Sequence, residues 1–217
     1  LYDPKQQGVL IDLDKEGFNA AFLRTQELLG TTQPIFEAGF RTTEALAFAD
    51  VLLPVKKVGR LTWKMVEVKS STSVKDYHLD DAAIQVFVAR STGLVLSSAS
   101  IACIDSSWIY PGGGEYVGLL AETDVTDQAF SREAEVRSWI TDAHRVVASK
   151  REPKVAMGKH CSDPFECGFR DYCQGLVPTA KQPISQLPGQ LRKALATLID
   201  AKGLTELRDV PDDLLNE

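Results

Sequence analysis

Apolar residues along the chain recur first at helical spacing and then at strand spacing, and the changes of period mark out the elements. Phe18, Phe22, Leu23, Leu28 and Leu29 predict a helix from about Lys15 to Leu29, capped by Asp14 and ended by Gly30. Residues 34–40 read as a strand, and Ala45 to Leu53 as a second, nearly continuous apolar run interrupted by Asp50. Turn chemistry covers Pro54 to Gly59, and Arg60 to Ser70 reads as a third strand carrying Trp63, Met65, Val66 and Val68. After the polar loop Ser70 to Ser73, a helix capped by Asp76 is expected to run to about Arg90, with Gly93 as its stop. Leu94 to Ile104 reads as strand, Ile109 to Gly114 as loop and Glu115 to Leu120 as a short strand. Asp127 opens a long amphipathic helix through about Lys150, with Phe130, Val136, Trp139, Ile140 and Val147 turned inward.

This order sets a strand–helix–strand unit beside hairpins, which predicts an α/β fold with a mixed sheet flanked by helices. From Lys154 the character changes to a cysteine-bearing segment. Beyond Pro178 and Pro183 comes a small helical tail at Leu191 to Ala201, then Gly203 and Val210-Pro211. The expected organisation is a core over 1–153, a cysteine segment over 154–177 packed on it, and a tail over 178–217. No run of 18 apolar residues exists, so neither a transmembrane helix nor a membrane partner is expected. The opening Leu1-Tyr2-Asp3-Pro4 is neither a signal peptide nor an initiator Met, and the natural start is expected upstream.

Net charge is −6 over 217 residues, with a pI near 5.2, which argues against a surface coated with sequence-independent positive charge. It leaves room for an enzyme whose metal-binding carboxylates add negative charge beside a local basic rim. Lys56, Lys57, Arg60 and Lys64 form one candidate rim, and Lys150, Arg151, Lys154 and Lys159 another. Either run serves equally as a solvated turn or helix end.

Glu67-Val68-Lys69 gains meaning from its strand. The two-residue period puts Glu67 and Lys69 on one face while Val66 and Val68 point to the other. If the second and third strands form a hairpin, a turn centred between Val58 and Gly59 makes opposed position numbers sum to 117 and sets Asp50 opposite Glu67. Carboxylates so close repel unless a cation lies between them. Hard oxygen ligands with open positions suit Mg²⁺ or Mn²⁺. Spacing alone serves equally a hairpin in which Asp50 and Lys69 form a diagonal salt bridge.

Phe48-Ala-Asp50, then Val66-Glu67-Val68-Lys69-Ser70-Ser71, then Asp81-Ala-Ala-Ile-Gln85 resembles the motif series of RecB-type PD-(D/E)xK nucleases. It is most similar to a stand-alone bacterial branch that carries an iron–sulfur cluster. The CRISPR-adaptation exonucleases and the AddB nuclease domain are more distant. The resemblance runs from about Gln33 to Cys173 and implies a restriction-endonuclease-like fold. It further implies metal ligation by Asp50, Glu67 and the Val68 carbonyl, a catalytic Lys69, and hydrolysis of DNA, by family habit at single-stranded ends. A larger nuclease or helicase assembly, in DNA repair or defence, is a further implied partner. The family's Gln motif matches Gln85, but where that motif ends in Tyr this chain has Ala89, a departure in its DNA-contact part. Asp81 shares a helix face with Gln85, and either looks into the site with Ser70, as a substrate-binding group, or serves as a cap or surface residue. A further family acid corresponds to Glu37 on the first strand, with Glu27 on the preceding helix as the rival.

The four cysteines are Cys103, Cys161, Cys167 and Cys173. Three fall within one short segment, an arrangement awkward for two disulfides and better suited to a reducing, cytoplasmic compartment with a bound metal or cluster. His160-Cys161-x5-Cys167-x5-Cys173 lacks the closely spaced cysteine pairs of zinc ribbons and suits a [4Fe–4S] cluster, with Zn²⁺ as the alternative. The resemblance implies three ligands here and one near the N-terminus. The fourth then lies upstream of Leu1, or is His160 or Cys103, although Cys103 falls in a core strand pattern. His78 and His144 read as helix or surface residues.

Overall fold

A computed structural model of the chain describes residues 1–57, 59–176, 180–187 and 192–214. It forms two compact units, Leu1–Pro153 and Lys154–Glu217. The first is an α/β unit built on one six-stranded mixed sheet flanked by helices, consistent with a restriction-endonuclease-like sheet. Its elements are β1 (Val9–Leu10), α1 (Leu13–Glu16), α2 (Phe18–Leu28), β2 (Ile35–Arg41), β3 (Leu46–Lys57) and β4 (Arg60–Lys69). They continue with α3 (Asp76–Ser91), β5 (Leu96–Ile104), β6 (Leu120–Asp124), α4 (Thr126–Ser131) and α5 (Glu133–Ala148).

The strands stand in sequence order, with β1∥β2 and β4∥β5 parallel and the other neighbours antiparallel. The parallel β4–β5 step requires a crossover, which α3 supplies. Alanines on both sides let that helix lie close: Ala82, Ala83 and Ala89 of α3 and Ala49 and Ala99 of the strands share one core with Leu52, Met65, Val86 and Ile101. A smaller cluster, Val51, Val66 and Ala102 with Tyr2, Phe36, Leu53 and Val68 at its margin, covers the other face. Beyond the two residues of β1, the edge of β2 is served by α2. There the Gly39 N–H donates to Thr25 Oγ1 at 2.9 Å, and the same hydroxyl donates to the Ala21 carbonyl. A threonine inside a helix thus satisfies a strand edge.

Several sequence expectations need correction. The first helix is broken at Gly17, whose φ of 76° ends α1, and its cap is Asp12, not Asp14, accepting the Lys15 N–H. Pro54 lies in β3, opposite Trp63. β2 pairs with β3 no further than Leu52, so Pro54 interrupts no ladder there. Asp76 is the first residue of α3, and the cap is Lys75. The late strand is Leu120–Asp124, not Glu115 to Leu120. The long helix breaks at Arg132 (φ −92°, ψ 15°), whose guanidinium bridges Asp80 and Glu135. Val147 is 85% exposed, although Val136 is buried and Trp139 and Ile140 are half-buried as expected. No described helix is long and apolar enough to cross a membrane.

The second unit holds a turn at Lys159–Cys161, α6 (Arg170–Leu176) and α7 (Lys193–Lys202). Its core is Ile184, Leu195 and Val210. Gly203, left-handed at φ 61°, ends α7, and the Glu206 carboxylate accepts the Lys181 and Gln182 N–H groups. Pro178 and Leu191, expected at the borders of the tail, lie outside the described residues, as does Val58 of the β3–β4 turn.

Candidate active site

β3 and β4 pair in the register expected from the turn, from Lys57 opposite Arg60 to Val51 opposite Val66. One step beyond that last rung, Asp50 and Glu67 lie side by side. Backbone pairing gives way there to a side chain: Asp50 Oδ2 accepts the Val68 N–H at 2.7 Å.

β2 extends the same row. Phe36 pairs with Val51 and Ala38 with Ala49, which brackets Glu37 beside Asp50. Glu37 is left-handed at φ 58°, a conformation that costs an L-residue about 1–2 kcal/mol. Its effect is visible in the packing. Ile35 and Ala38 both face the main core, as do Leu52 and Ala49, although strict alternation would send one of each pair to the opposite face. Both strands change phase at the Glu37–Asp50 row, so carboxylates from three adjacent strands are neighbours at an irregular point of the sheet. Glu27, the rival to Glu37, is exposed on α2.

α3 closes the site from above the sheet. Asp81 and Gln85, one turn apart, both reach β4. Gln85 Nε2 donates to Glu67 Oε2 at 2.7 Å, while Lys69 Nζ lies 2.9 Å from Glu67 Oε1 and 2.6 Å from Asp81 Oδ2. Lys69 therefore pairs with Glu67 and Asp81, not in the diagonal bridge to Asp50. Gln85 Oε1 is buried without a hydrogen-bond partner, the polar atom here that calls for a ligand or a water. Ser70 is exposed just past the end of β4. Ala89, where the resembled family carries Tyr, is fully buried in the core and leaves no room for a ring.

Glu67 is 6% exposed. Burial and then the Asp50 carboxylate push its pKa up, against the opposing hydrogen bonds from Lys69 and Gln85. Glu37 is likewise raised, by partial burial and then by Asp50. Burial works to lower the Lys69 pKa, but the bonds to Asp81 and Glu67 outweigh it and the net shift is upward. His78 lies in α3, as a helix residue, but is buried. It is 3% exposed, its Nδ1 accepts the Lys75 N–H at 3.2 Å, and burial, then Lys69 and Lys75, depress its pKa. The readable signal was its place three residues after the helix cap. His144 is a surface residue bonded to the Glu44 carbonyl.

The cysteines divide. Cys103 is buried in β5, opposite Lys69 in the register and 4.0 Å from Ser71 Oγ, a core position. In the second unit, the Cys167 N–H donates to the Cys161 carbonyl and draws the loop between them shut, Cys173 lies in α6, and His160 is exposed. All four thiols are free. Among the described residues no group of three or more His, Cys, Asp or Glu side chains converges to hold a metal ion. Of the basic rims, Lys64 is tied to Glu122 at 2.5 Å and Lys159 to Asp163 at 2.8 Å. Arg60, Lys150, Arg151 and Lys154 are exposed, and the Lys57 side chain lies outside the described residues.

No protein-family model and no curated protein matches the chain. Among solved structures, the crystal structure of SSO0001 is similar at 14% identity and a TM-score of 0.28, over 63% of this chain. This chain spans 60% of that one.

Proposed function

We propose that the chain is a divalent-metal-dependent nuclease of the PD-(D/E)xK type, hydrolysing DNA phosphodiester bonds. The observation that carries the reading is the row of Glu37, Asp50 and Glu67 across three strands, with Lys69 beside Glu67 and Gln85 bonded to it from α3. Few structural needs explain a buried Glu67, a half-buried Asp50 and an exposed Glu37 on strained backbone side by side; a cation and a phosphate do.

The donor set fits a hard cation of the Mg²⁺ or Mn²⁺ kind. Asp50 has one oxygen beyond the Val68 N–H, Glu67 can exchange one of its two present bonds, and the Val68 carbonyl is a third donor. Water and phosphate complete such a shell, which needs no third carboxylate. When bound, the cation supplies polarisation of the phosphate and a more acidic water. The remaining roles belong to the chain. Lys69, held from two sides, offers its ammonium to charge developing on the phosphoryl oxygens. Gln85 orients Glu67, and Asp81 orients Lys69. Glu37, with its raised proton affinity, suits the acceptance of a proton from the attacking water.

Single-stranded DNA with a free end is the proposed substrate and a larger nuclease or helicase assembly the proposed setting, both by resemblance; a reducing compartment is proposed from the spacing of the cysteines. A [4Fe–4S] cluster on Cys161, Cys167 and Cys173 is proposed on the same ground, with Zn²⁺ as the alternative. The second reading is a DNA-binding scaffold that has kept the fold, favoured by one observation, the buried Ala89 in place of a contact tyrosine. End-labelled single- and double-stranded DNA incubated with and without Mn²⁺ separates the two. Metal-dependent cleavage lost in Glu67→Gln supports the nuclease; binding with no cleavage under any divalent ion establishes the scaffold.

A further inference from the structure

The loop joining β5 to β6 begins at Asp105, two residues past Cys103, the residue paired with Lys69. Its base is fixed to the end of the sheet by the Ile104 N–H on the Ser71 carbonyl and the Asp105 N–H on the Leu119 carbonyl. At about 3.3 Å per strand residue, the loop starts less than 10 Å along the sheet from the level of Lys69. It therefore rises at the end of the sheet that carries the candidate active site.

Three aromatic rings from this loop lie against one another. Tyr110 and Tyr116 stand 5.3 Å apart at 22°, Trp108 and Tyr116 6.2 Å at 23°, and Trp108 and Tyr110 5.9 Å at 45°. The cluster is held by its own backbone. Trp108 Nε1 donates to the Val117 carbonyl at 2.8 Å, and the Gly114 N–H donates to the Tyr110 hydroxyl at 2.8 Å. Gly118, at φ 86°, has its bare Cα against Trp108: an added Cβ would lie 3.3 Å from the indole. Rings so fixed would ordinarily be buried, yet Tyr110 and Tyr116 are 49% and 50% exposed, and Ile109 and Val117 beside them still more so.

The charge of the loop narrows what it can meet. Residues 105–119 contain no Lys, Arg or His, so the loop has no cation for a phosphate. Its two acids are bonded within the loop, Asp105 to Ser107 and Glu115 to the Val117 N–H. What remains is an aromatic surface without a cation, held by its own hydrogen bonds on a loop that starts close to the candidate active site. Base–aromatic stacking needs a flat π-face without charge and tolerates every sequence. Duplex DNA hides those faces inside its own stack.

We propose that Trp108, Tyr110 and Tyr116 form a stacking platform for unpaired nucleobases of the strand whose phosphate occupies the Asp50–Glu67–Lys69 site. This rests on the nuclease reading and adds a binding surface that selects single strands.

The test compares binding, in EDTA so that nothing is cut, of a normal single-stranded oligonucleotide and an abasic strand of equal length. The wild type should prefer the base-bearing strand by about tenfold. Tyr116→Leu, which keeps the apolar packing, should erase that preference while leaving the abasic affinity unchanged, and Tyr116→Phe should retain it. Equal binding of the two strands by the wild type overturns the platform without reference to any variant, as does an undiminished preference in Tyr116→Leu. Cleavage with Mn²⁺ run in parallel separates the two readings. Glu67-dependent cutting without base preference removes the platform alone. Base preference without Glu67-dependent cutting removes the nuclease reading alone, and neither result removes both.

Discussion

Glu67 has both carboxylate oxygens engaged, one by Lys69 and one by Gln85, and still faces Asp50. Replacing it by Gln removes a buried charge and its repulsion with Asp50 while keeping the shape. Without metal, Glu67→Gln and Asp50→Asn should therefore melt at or above the wild-type temperature, yet lose Mn²⁺ binding in a calorimetric titration and lose cleavage. A variant that cleaves like the wild type would remove the site. Lys69→Ala behaves oppositely in stability, because it strands the Glu67 and Asp81 carboxylates without their cation. It should melt lower and cut about 10²–10³-fold more slowly at saturating substrate. Gln85→Ala and Asp81→Asn act through Glu67 and Lys69, and a smaller loss, about 10–100-fold, is expected from each. Asp50, Glu67 and Lys69 were legible in the sequence because strand alternation and one turn position are enough to juxtapose them. The left-handed Glu37 backbone was not, since no residue type announces that conformation in glutamate.

At the scale of elements, legibility follows the strength of the local period. The β3–β4 register could be read because a tight turn fixes every opposed pair behind it. The last strand was misplaced because Tyr116 and Val117 are strand-forming residue types, whereas the loop uses the Tyr116 ring in its aromatic cluster and the Val117 carbonyl to hold Trp108. The breaks at Gly17 and Arg132 interrupt apolar patterns that run on through them. The start of α3 gives a prediction that belongs to this scale. His78 Nδ1 accepts the Lys75 N–H, and only the neutral ring can do so. Its pKa lies below the usual 6.5, chiefly through burial, with Lys69 and Lys75 adding repulsion and Asp81 opposing. The unfolded chain thus takes up the proton at higher pH than the folded one. The contribution to stability is fully present above 6.5 and is lost as pH falls below it toward the depressed folded value. Melting temperatures followed from pH 8 to 5 should fall in the wild type over that lower window. In His78→Asn, which keeps a side-chain acceptor that does not titrate there, that part of the slope should vanish. An unchanged slope would mean that another group titrates.

For the molecule as a whole, the two units have separate cores: the sheet with α3, α4 and α5 in Leu1–Pro153, and Ile184, Leu195 and Val210 in Lys154–Glu217. Every residue of the candidate active site belongs to the first unit and the three clustered cysteines to the second. A fragment spanning 1–153 should accordingly unfold cooperatively and bind Mn²⁺ in a manner sensitive to Asp50→Asn. A fragment without fixed tertiary signals would show instead that the cysteine unit is needed to close the fold. The cysteines carry their own test. Thiolate ligation couples metal to folding, so loss of a ligand should cost far more than loss of a thiol that binds no metal. An anaerobic preparation should be brown and hold about four irons per chain if the cluster is the [4Fe–4S] kind. Cys161→Ser, Cys167→Ser and Cys173→Ser should each bleach it and loosen α6 by hydrogen exchange. Cys103→Ser, buried opposite Lys69 beside Ser71, should leave the colour unchanged. One tightly bound zinc, with no iron after anaerobic reconstitution, would replace the cluster by a zinc site. Neither metal in the second unit would leave three free thiols there, and the nuclease proposal would rest on Asp50, Glu67 and Lys69 alone.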